Sequence, residues 1–246
     1  AYVIATSFSI VGIAFASAVA EELGFGHIFP IFYGSIALVT VILAFITTRL
    51  PLKKFQPTYY EGVTPNRIEI PKDKTVLQHA YESAIKQADK VKFGEILIES
   101  FKSVINIYVG FLPVIMMVGT LALVVAEYTG FFNIISTPLV YVYTFIGYSK
   151  EVATMMAPAS VCGFADMYLP SLFIGESASE ASRFFIGVLA FTQLVFMSET
   201  GMVLVKSKIG LNFWDVVKVF IYRTALSLPI LVVITNILAA LGIIAF

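Results

Sequence analysis

The feature that most restricts the fold of this 246-residue chain is a series of apolar runs about as long as a bilayer is thick. A spanning helix needs ~20 apolar residues, and residues 28–48 form such a run, which ends at Arg49, Lys53 and Lys54. The chain is 59% hydrophobic and 13% charged, whereas a soluble domain has about 25% charged residues. The sequence therefore predicts an all-α, polytopic transmembrane helical bundle.

Seven apolar runs suggest about seven spans. They cover residues 1–20, 28–48, 104–126, 131–147, 152–175, 184–205 and 216–246. The fifth run contains Pro158, Gly163 and Pro170, which disfavour a continuous helix, so we expect a break near 163–166. An alternative is a re-entrant pair of half-helices over 152–175, and one neighbouring crossing would then have to be redrawn.

The polar region 49–103 divides the chain into a transmembrane hairpin (1–48), this loop and a transmembrane domain (104–246). Residues 49–102 hold ten of the sixteen Lys and Arg, which predicts that the loop faces the cytoplasm. Alternation of the spans then places Lys150 inside and residues 176–182 outside. Because residues 1–20 are apolar from the start, we also expect the chain to begin within or just before a helix of a longer protein.

An amphipathic helix is predicted within this loop from Thr75 onward. Apolar residues recur there at helical spacing, with polar residues on the other faces. We expect this helix to lie along the inner membrane surface. The alternative is a helix that packs against another soluble element.

Composition also narrows the function classes. The formal net charge is zero, which gives no indication of nucleic-acid binding. Cys162 is the single cysteine, and His27 and His79 lie far apart, so we expect no metal site and no cofactor. The metalloprotease and nucleophile-elbow motifs are absent from the sequence, which argues against an enzyme.

Asp166 is the first candidate functional residue, because a carboxylate at membrane depth costs at least ~2.5–3.5 kcal/mol. It follows Gly163 in a segment where helix-breaking residues free backbone groups. Half-helix ends at such breaks bind ions or polar solutes in transporters. The alternative is that Asp166 caps the second half-helix.

Glu199 is the second candidate, in the run 184–205. Thr192 and Glu199 are seven residues apart and would share a helix face, with Gln193 and Ser198 on either side of it. Such a polar stripe points to the protein interior. The alternative is a structural hydrogen bond or buried ion pair, and Arg183 and Arg223 are the candidate partners of Glu199.

These motifs resemble the YjiH-type inner-membrane proteins of the nucleoside-recognition, or Gate, family. The resemblance runs in order over residues 105–234, and Gly210 and Tyr222 depart from the pattern. It rests on GFADMYLP (163–170), TQLVFMSETG (192–201), SKI (207–209), RT (223–224), LPI (228–230) and segments of 113–129. Members are about twice as long as this chain, so the resemblance implies that residues 1–49 end a preceding half.

The resemblance implies a multi-pass protein of the bacterial inner membrane. We expect a permease for a small polar solute, with the nucleoside label implied by the family name alone. Asp166, Glu199, Gly163, Thr192, Gln193 and Ser198 are the candidate residues for binding the solute or a coupling ion. The alternative is a non-transporting scaffold that works with a membrane partner protein or as a homo-oligomer.

Overall fold

The computed structural model describes residues 12–49, 75–88, 93–175, 177–198, 200–206 and 212–246. The regular secondary structure of these residues is helical, without a β-strand among them, so the all-α prediction is confirmed for this part of the chain. The helices are α1 (Gly12–Glu22), α2 (Phe29–Arg49), α3 (Val76–Ala88), α4 (Phe93–Thr129), α5 (Phe131–Ile146), α6 (Lys150–Cys162), α7 (Leu169–Ile174), α8 (Glu180–Gln193), α9 (Thr200–Lys206) and α10 (Phe213–Ala240).

The chain divides into two compact units. One comprises Ala1–Gln56 with Ile115–Phe246, and the other comprises Pro57–Val114. The second unit contains α3, whose predicted helical pattern is confirmed, and the first part of α4. Helix α4 begins at Phe93 rather than at 104, because the preceding residues include strong helix formers such as Glu95 and Leu97.

The core of the larger unit forms where α2, α8 and α10 pack together. Phe32 of α2 meets Phe184 and Phe191 of α8 in edge-to-face contacts, with ring centroids 5.6 and 6.5 Å apart. Gly187 permits this approach, since a Cβ there would lie 2.5 Å from Leu23 Cδ1 and 2.9 Å from Phe32 Cε2. Helix α8 is buried along most of its length, and this fixes the position of its C-terminal end.

The predicted break in the run 152–175 is confirmed. Helix α6 ends at Cys162 and α7 begins at Leu169, with Pro170 in the first turn of α7, where proline is favoured. Helices α6 and α7 pack against each other. They form a hairpin whose tip is at residues 163–168.

The hairpin returns the chain to the end of the bundle from which α6 started. Tyr148 and Ser149, before α6, line the same cavity of about 280 Å³ as Ser179 and Ser182, after α7. The predicted alternation, which put Lys150 and residues 176–182 at opposite ends, is therefore wrong. It assumed that an apolar run of this length crosses the bundle once, whereas the break turns the chain back.

Two described helices are long and apolar enough to span a membrane, over Gly26–Thr47 and Phe213–Ala240. The apolar helix Phe131–Ile146 is shorter. Only 33% of the apolar window in each of the two long helices is buried. About two thirds of the residues in these windows are therefore at least partly exposed.

Candidate functional site at two crossed helix breaks

The first break comprises residues 163–168, between α6 and α7. Ala165 and Asp166 donate backbone N–H bonds to the Cys162 carbonyl, over 2.9 and 3.3 Å, and so close the end of α6. The Asp166 carboxylate accepts a 2.8 Å bond from the Tyr168 backbone N–H, just before α7 begins. Asp166 thus holds the turn before α7, but the N-cap residue of α7 is Tyr168, without a side-chain cap bond, so Asp166 is not the cap that the sequence offered as an alternative. Its role in binding stays a prediction.

A second break interrupts the run 184–205, where the sequence predicted one continuous helix. Helix α8 ends at Gln193, and Leu194 adopts a left-handed conformation with φ of 62°, which is rare for a residue with a side chain. We define the second break as residues 194–198, the described part of this connection to α9. Glu199 lies outside the described residues.

This break overturns the shared helix face predicted for Thr192 and Glu199, because α8 stops between them. Residues 188–200 contain neither proline nor glycine, so the local sequence does not reveal the break. Tertiary contacts override the helical pattern instead.

The two breaks contact each other and hydrogen-bond through their backbones. Met197 N–H donates to the Phe164 carbonyl over 2.8 Å, and Ser198 N–H donates to the Ala165 carbonyl over 3.0 Å. Buried backbone groups need partners, and each break supplies them to the other. We call this contact the crossing.

Side chains satisfy carbonyls at the C-terminal ends of α6 and α8, where helices leave carbonyls unpaired. Gln193 Nε2 donates to the Ser160 carbonyl over 2.9 Å and to Thr224 Oγ1 over 3.0 Å. Arg223 Nε donates to the Thr192 carbonyl over 2.9 Å. Gln193 therefore ties α8 to both α6 and α10, and Arg223 fixes the end of α8 to α10.

Three buried oxygens near these ties have no hydrogen-bond partner among the described residues: Gln193 Oε1, Ser198 Oγ and Ser227 Oγ. Their residues are 0%, 1% and 0% exposed. Gln193 Oε1 lies against Gly163, where an added Cβ would collide with it. Leaving a buried polar group unpaired costs about 1–3 kcal/mol, and an ordered water or a polar ligand that bonded to these oxygens would offset that cost.

The structure brings most of the predicted site residues together. Gly163, Gln193 and Ser198 adjoin the crossing, Asp166 lies within the first break, and Thr192 and Arg223 meet at the end of α8. Thr192 Oγ1 bonds only within its own helix, to the Leu189 carbonyl over 3.0 Å.

Arg183 lies elsewhere, near the start of α8. Its Nη1 donates to the Leu23 carbonyl over 2.9 Å, and its guanidinium stacks 5.8 Å from the Phe25 ring centroid. The structure therefore separates the two arginines that the sequence offered as partners of Glu199.

Sequence reasoning missed Ser160, Thr224 and Ser227. Ser160 also shares a 2.6 Å hydrogen bond with Tyr143 of α5. Two signals could have indicated these residues: Ser160 is one helical turn before Gly163, and Thr224 and Ser227 lie one turn or less beyond Arg223. The described residues contain no group of three His, Cys, Asp or Glu that could hold a metal ion.

An uncharacterized protein of Alkalihalophilus pseudofirmus is 40% identical to this chain over 240 residues. The match covers 96% of this chain and 51% of the relative, so the chain spans about half the length of this curated relative. No family model matches the chain. No solved structure matches it either.

Proposed function

We propose that the chain is part of a multi-pass membrane transport protein that binds a small polar solute at the crossing. The observation that carries this proposal is the contact of two helix breaks beside three buried oxygens without hydrogen-bond partners among the described residues. In a bilayer, irregular backbone is tolerated only where it is buried in protein or lines a cavity. Discontinuous helices near mid-membrane form the solute and ion sites of many secondary transporters.

Membrane insertion is supported by the outward-facing apolar surface of the two long helices. Phe45 of α2 is 61% exposed and Val233 of α10 is 57% exposed, and a soluble protein rarely leaves such a surface uncovered. The α6–α7 hairpin is then a re-entrant segment, and α8 with α9 is a broken crossing. We expect the membrane to be the bacterial inner membrane, as the sequence resemblance implies.

Among the described residues, Asp166 is the candidate for coupling transport to a proton or cation. It lies in the first break and is only partly buried. Its bond to Tyr168 uses one oxygen, Oδ1. Glu199 is the second candidate by sequence. A nucleoside is one solute class that fits this proposal, and it is suggested by the family name alone.

A non-transporting scaffold is the alternative, and the position of Arg223 favours it. This residue is 4% exposed, and its Nε bonds to the Thr192 carbonyl at the end of α8. Such a scaffold would pair with a membrane partner protein or with a second copy of the chain. The two functions differ in whether water reaches the crossing.

Water access to the crossing is tested with Ser198→Cys in a Cys162→Ala background, treated with a small impermeant thiol reagent in right-side-out and inside-out vesicles. A transporter is expected to react from at least one side, because its site opens to water during the cycle. Ala157→Cys is the matched buried control, since Ala157 is 0% exposed on α6. A Ser198→Cys variant as inert as this control would reject the transport proposal and favour the scaffold.

The re-entrant hairpin makes a separate prediction about sidedness. Lys150→Cys and Ser177→Cys, both at exposed positions, are expected to react with an impermeant reagent from the same side of the membrane. The reason is that both flanks of the hairpin lie at one end of the bundle. Labelling from opposite sides would show that residues 152–175 cross the membrane.

A further inference from the structure

The tip of the α6–α7 hairpin, residues 163–168, covers part of the polar site at the crossing. Gly163 lies so close to Gln193 Oε1 that an added Cβ would collide with this oxygen. Ser198, whose Oγ has no partner among the described residues, is held to the tip by the bond from its N–H to the Ala165 carbonyl, over 3.0 Å. In this conformation a solute reaches Gln193 Oε1 only if the tip moves.

An aromatic contact holds the tip on α10. The Phe164 ring packs edge-to-face on Phe220 and Phe213, with ring centroids 5.0 and 6.1 Å apart. Phe220 is 8% exposed, so the contact reaches into the protein. Edge-to-face pairs add to the stabilisation that the buried apolar area gives. This contact therefore favours the position of the tip in which Gly163 covers Gln193.

A hydrogen bond holds the other end of the tip on α1. The Tyr168 hydroxyl donates to Glu22 Oε2 over 3.2 Å, and Glu22 is the last residue of α1. The bond lies at an exposed position, where water can take the place of either partner when the bond breaks. This contact can therefore break and re-form at a small cost in free energy.

The tip also borders an open space. Phe164 and Ala165 line an apolar groove of about 1320 Å³ between α5 and α10, and Phe213 and Phe220 line the same groove. Protein interiors are close-packed, so a packed segment moves readily only where such a space adjoins it. Phe164 can leave Phe220 through this groove and stay in an apolar environment.

We propose that the hairpin tip is a lid over the crossing, and that Phe164 on α10 and Tyr168 on α1 are the two latches that keep it closed. This inference rests on the proposed function and adds how its site opens to water. Gly163 is the hinge, because it joins the tip to the end of α6 and glycine tolerates a wide range of backbone angles. Opening separates Gly163 from Gln193 and breaks the two backbone bonds of the crossing, whose groups then bond to water or to the solute.

The lid is tested by the rate at which Ser198→Cys, in the Cys162→Ala background, reacts with a small impermeant thiol reagent. This rate scales with the fraction of the protein in the open state. Phe164→Ala removes one latch and is expected to raise the rate about tenfold. Phe173→Ala is the matched control, the same truncation in the same hairpin at a ring that packs 5.9 Å from Phe132 of α5. It is expected to leave the rate unchanged.

Tyr168→Phe removes the second latch and keeps the shape of the ring. Because the net contribution of an ordinary hydrogen bond is small, we expect the rate of reaction at Ser198→Cys to rise about two- to tenfold. Glu22→Gln keeps an oxygen that can accept the bond from the Tyr168 hydroxyl. It is therefore expected to change the rate less than Tyr168→Phe does.

Ala157→Cys, used in place of Ser198→Cys, shows whether Phe164→Ala loosens the whole fold, since Ala157 is 0% exposed and should stay unreactive. Equal acceleration at Ala157→Cys, or equal acceleration by Phe173→Ala, would overturn the lid. If Ser198→Cys reacts at a rate that neither latch substitution changes, the lid is wrong and the proposed function stands. If Ser198→Cys is inert in every background, the proposed function fails and the lid fails with it.

Discussion

Gln193→Leu is expected to lower the free energy of unfolding by about 1–3 kcal/mol and to abolish transport. The leucine has similar bulk but no donor, so the Ser160 carbonyl and Thr224 Oγ1 lose their bonds from Nε2. Both acceptors are in buried residues, where water does not replace a lost donor. The measurement is a denaturant titration of the protein in bicelles or nanodiscs.

Thr192→Val is the control beside it, since Thr192 Oγ1 bonds only within α8. This nearly isosteric change is expected to alter stability by less than about 1 kcal/mol. Gly163→Ala tests the same hydrogen bonds of Gln193 by a different change. The added Cβ would collide with Gln193 Oε1 and displace the side-chain amide. A Gln193→Leu protein as stable and active as the wild type would show that the tie contributes neither to the fold nor to transport.

The first break could be predicted from the sequence, whereas the second could not. Gly163 and Pro170 indicate the first break from the local sequence, since glycine and proline both disfavour a continuous helix. At the second break the chain reads as an unbroken apolar helix through Leu194, and only contacts distant in sequence end it. Met197 bonds to Phe164, and Arg223 holds Thr192.

The residues of the candidate site could be singled out by type, but their hydrogen-bond partners could not. A polar residue in an apolar run is conspicuous, and Gln193, Ser198 and Arg223 all stood out for that reason. Their partners are less conspicuous, because every residue has a backbone carbonyl and the sequence does not show which one, such as that of Ser160, accepts a side-chain bond. The sequence also did not show that α6 and α7 return to the same end of the bundle. The Lys and Arg content of a loop indicates its side of the membrane, but not whether the segment between two loops crosses.

Arg223→Met is expected to cost about 1.5–3 kcal/mol of stability, the range for a hydrogen bond made by a charged group. Arg223 is 4% exposed, and its Nε bonds to the Thr192 carbonyl in the last turn of α8. A positive charge there also interacts favourably with the negative end of the helix dipole. Arg223→Lys keeps the charge and is expected to recover part of the loss in a thermal or denaturant unfolding measurement.

The alternative that Glu199 forms a buried ion pair, with Arg223 as its partner, is tested by a double-mutant cycle on Glu199→Gln and Arg223→Met. If the two are buried partners, Glu199→Gln alone is expected to cost about 3–5 kcal/mol, because it leaves the arginine charge uncompensated. The double variant would then cost much less than the sum of the two single variants. Additive losses would reject the pair. They would leave Glu199 as a candidate coupling carboxylate, and its replacement should then remove pH- or cation-dependent transport without lowering the melting temperature.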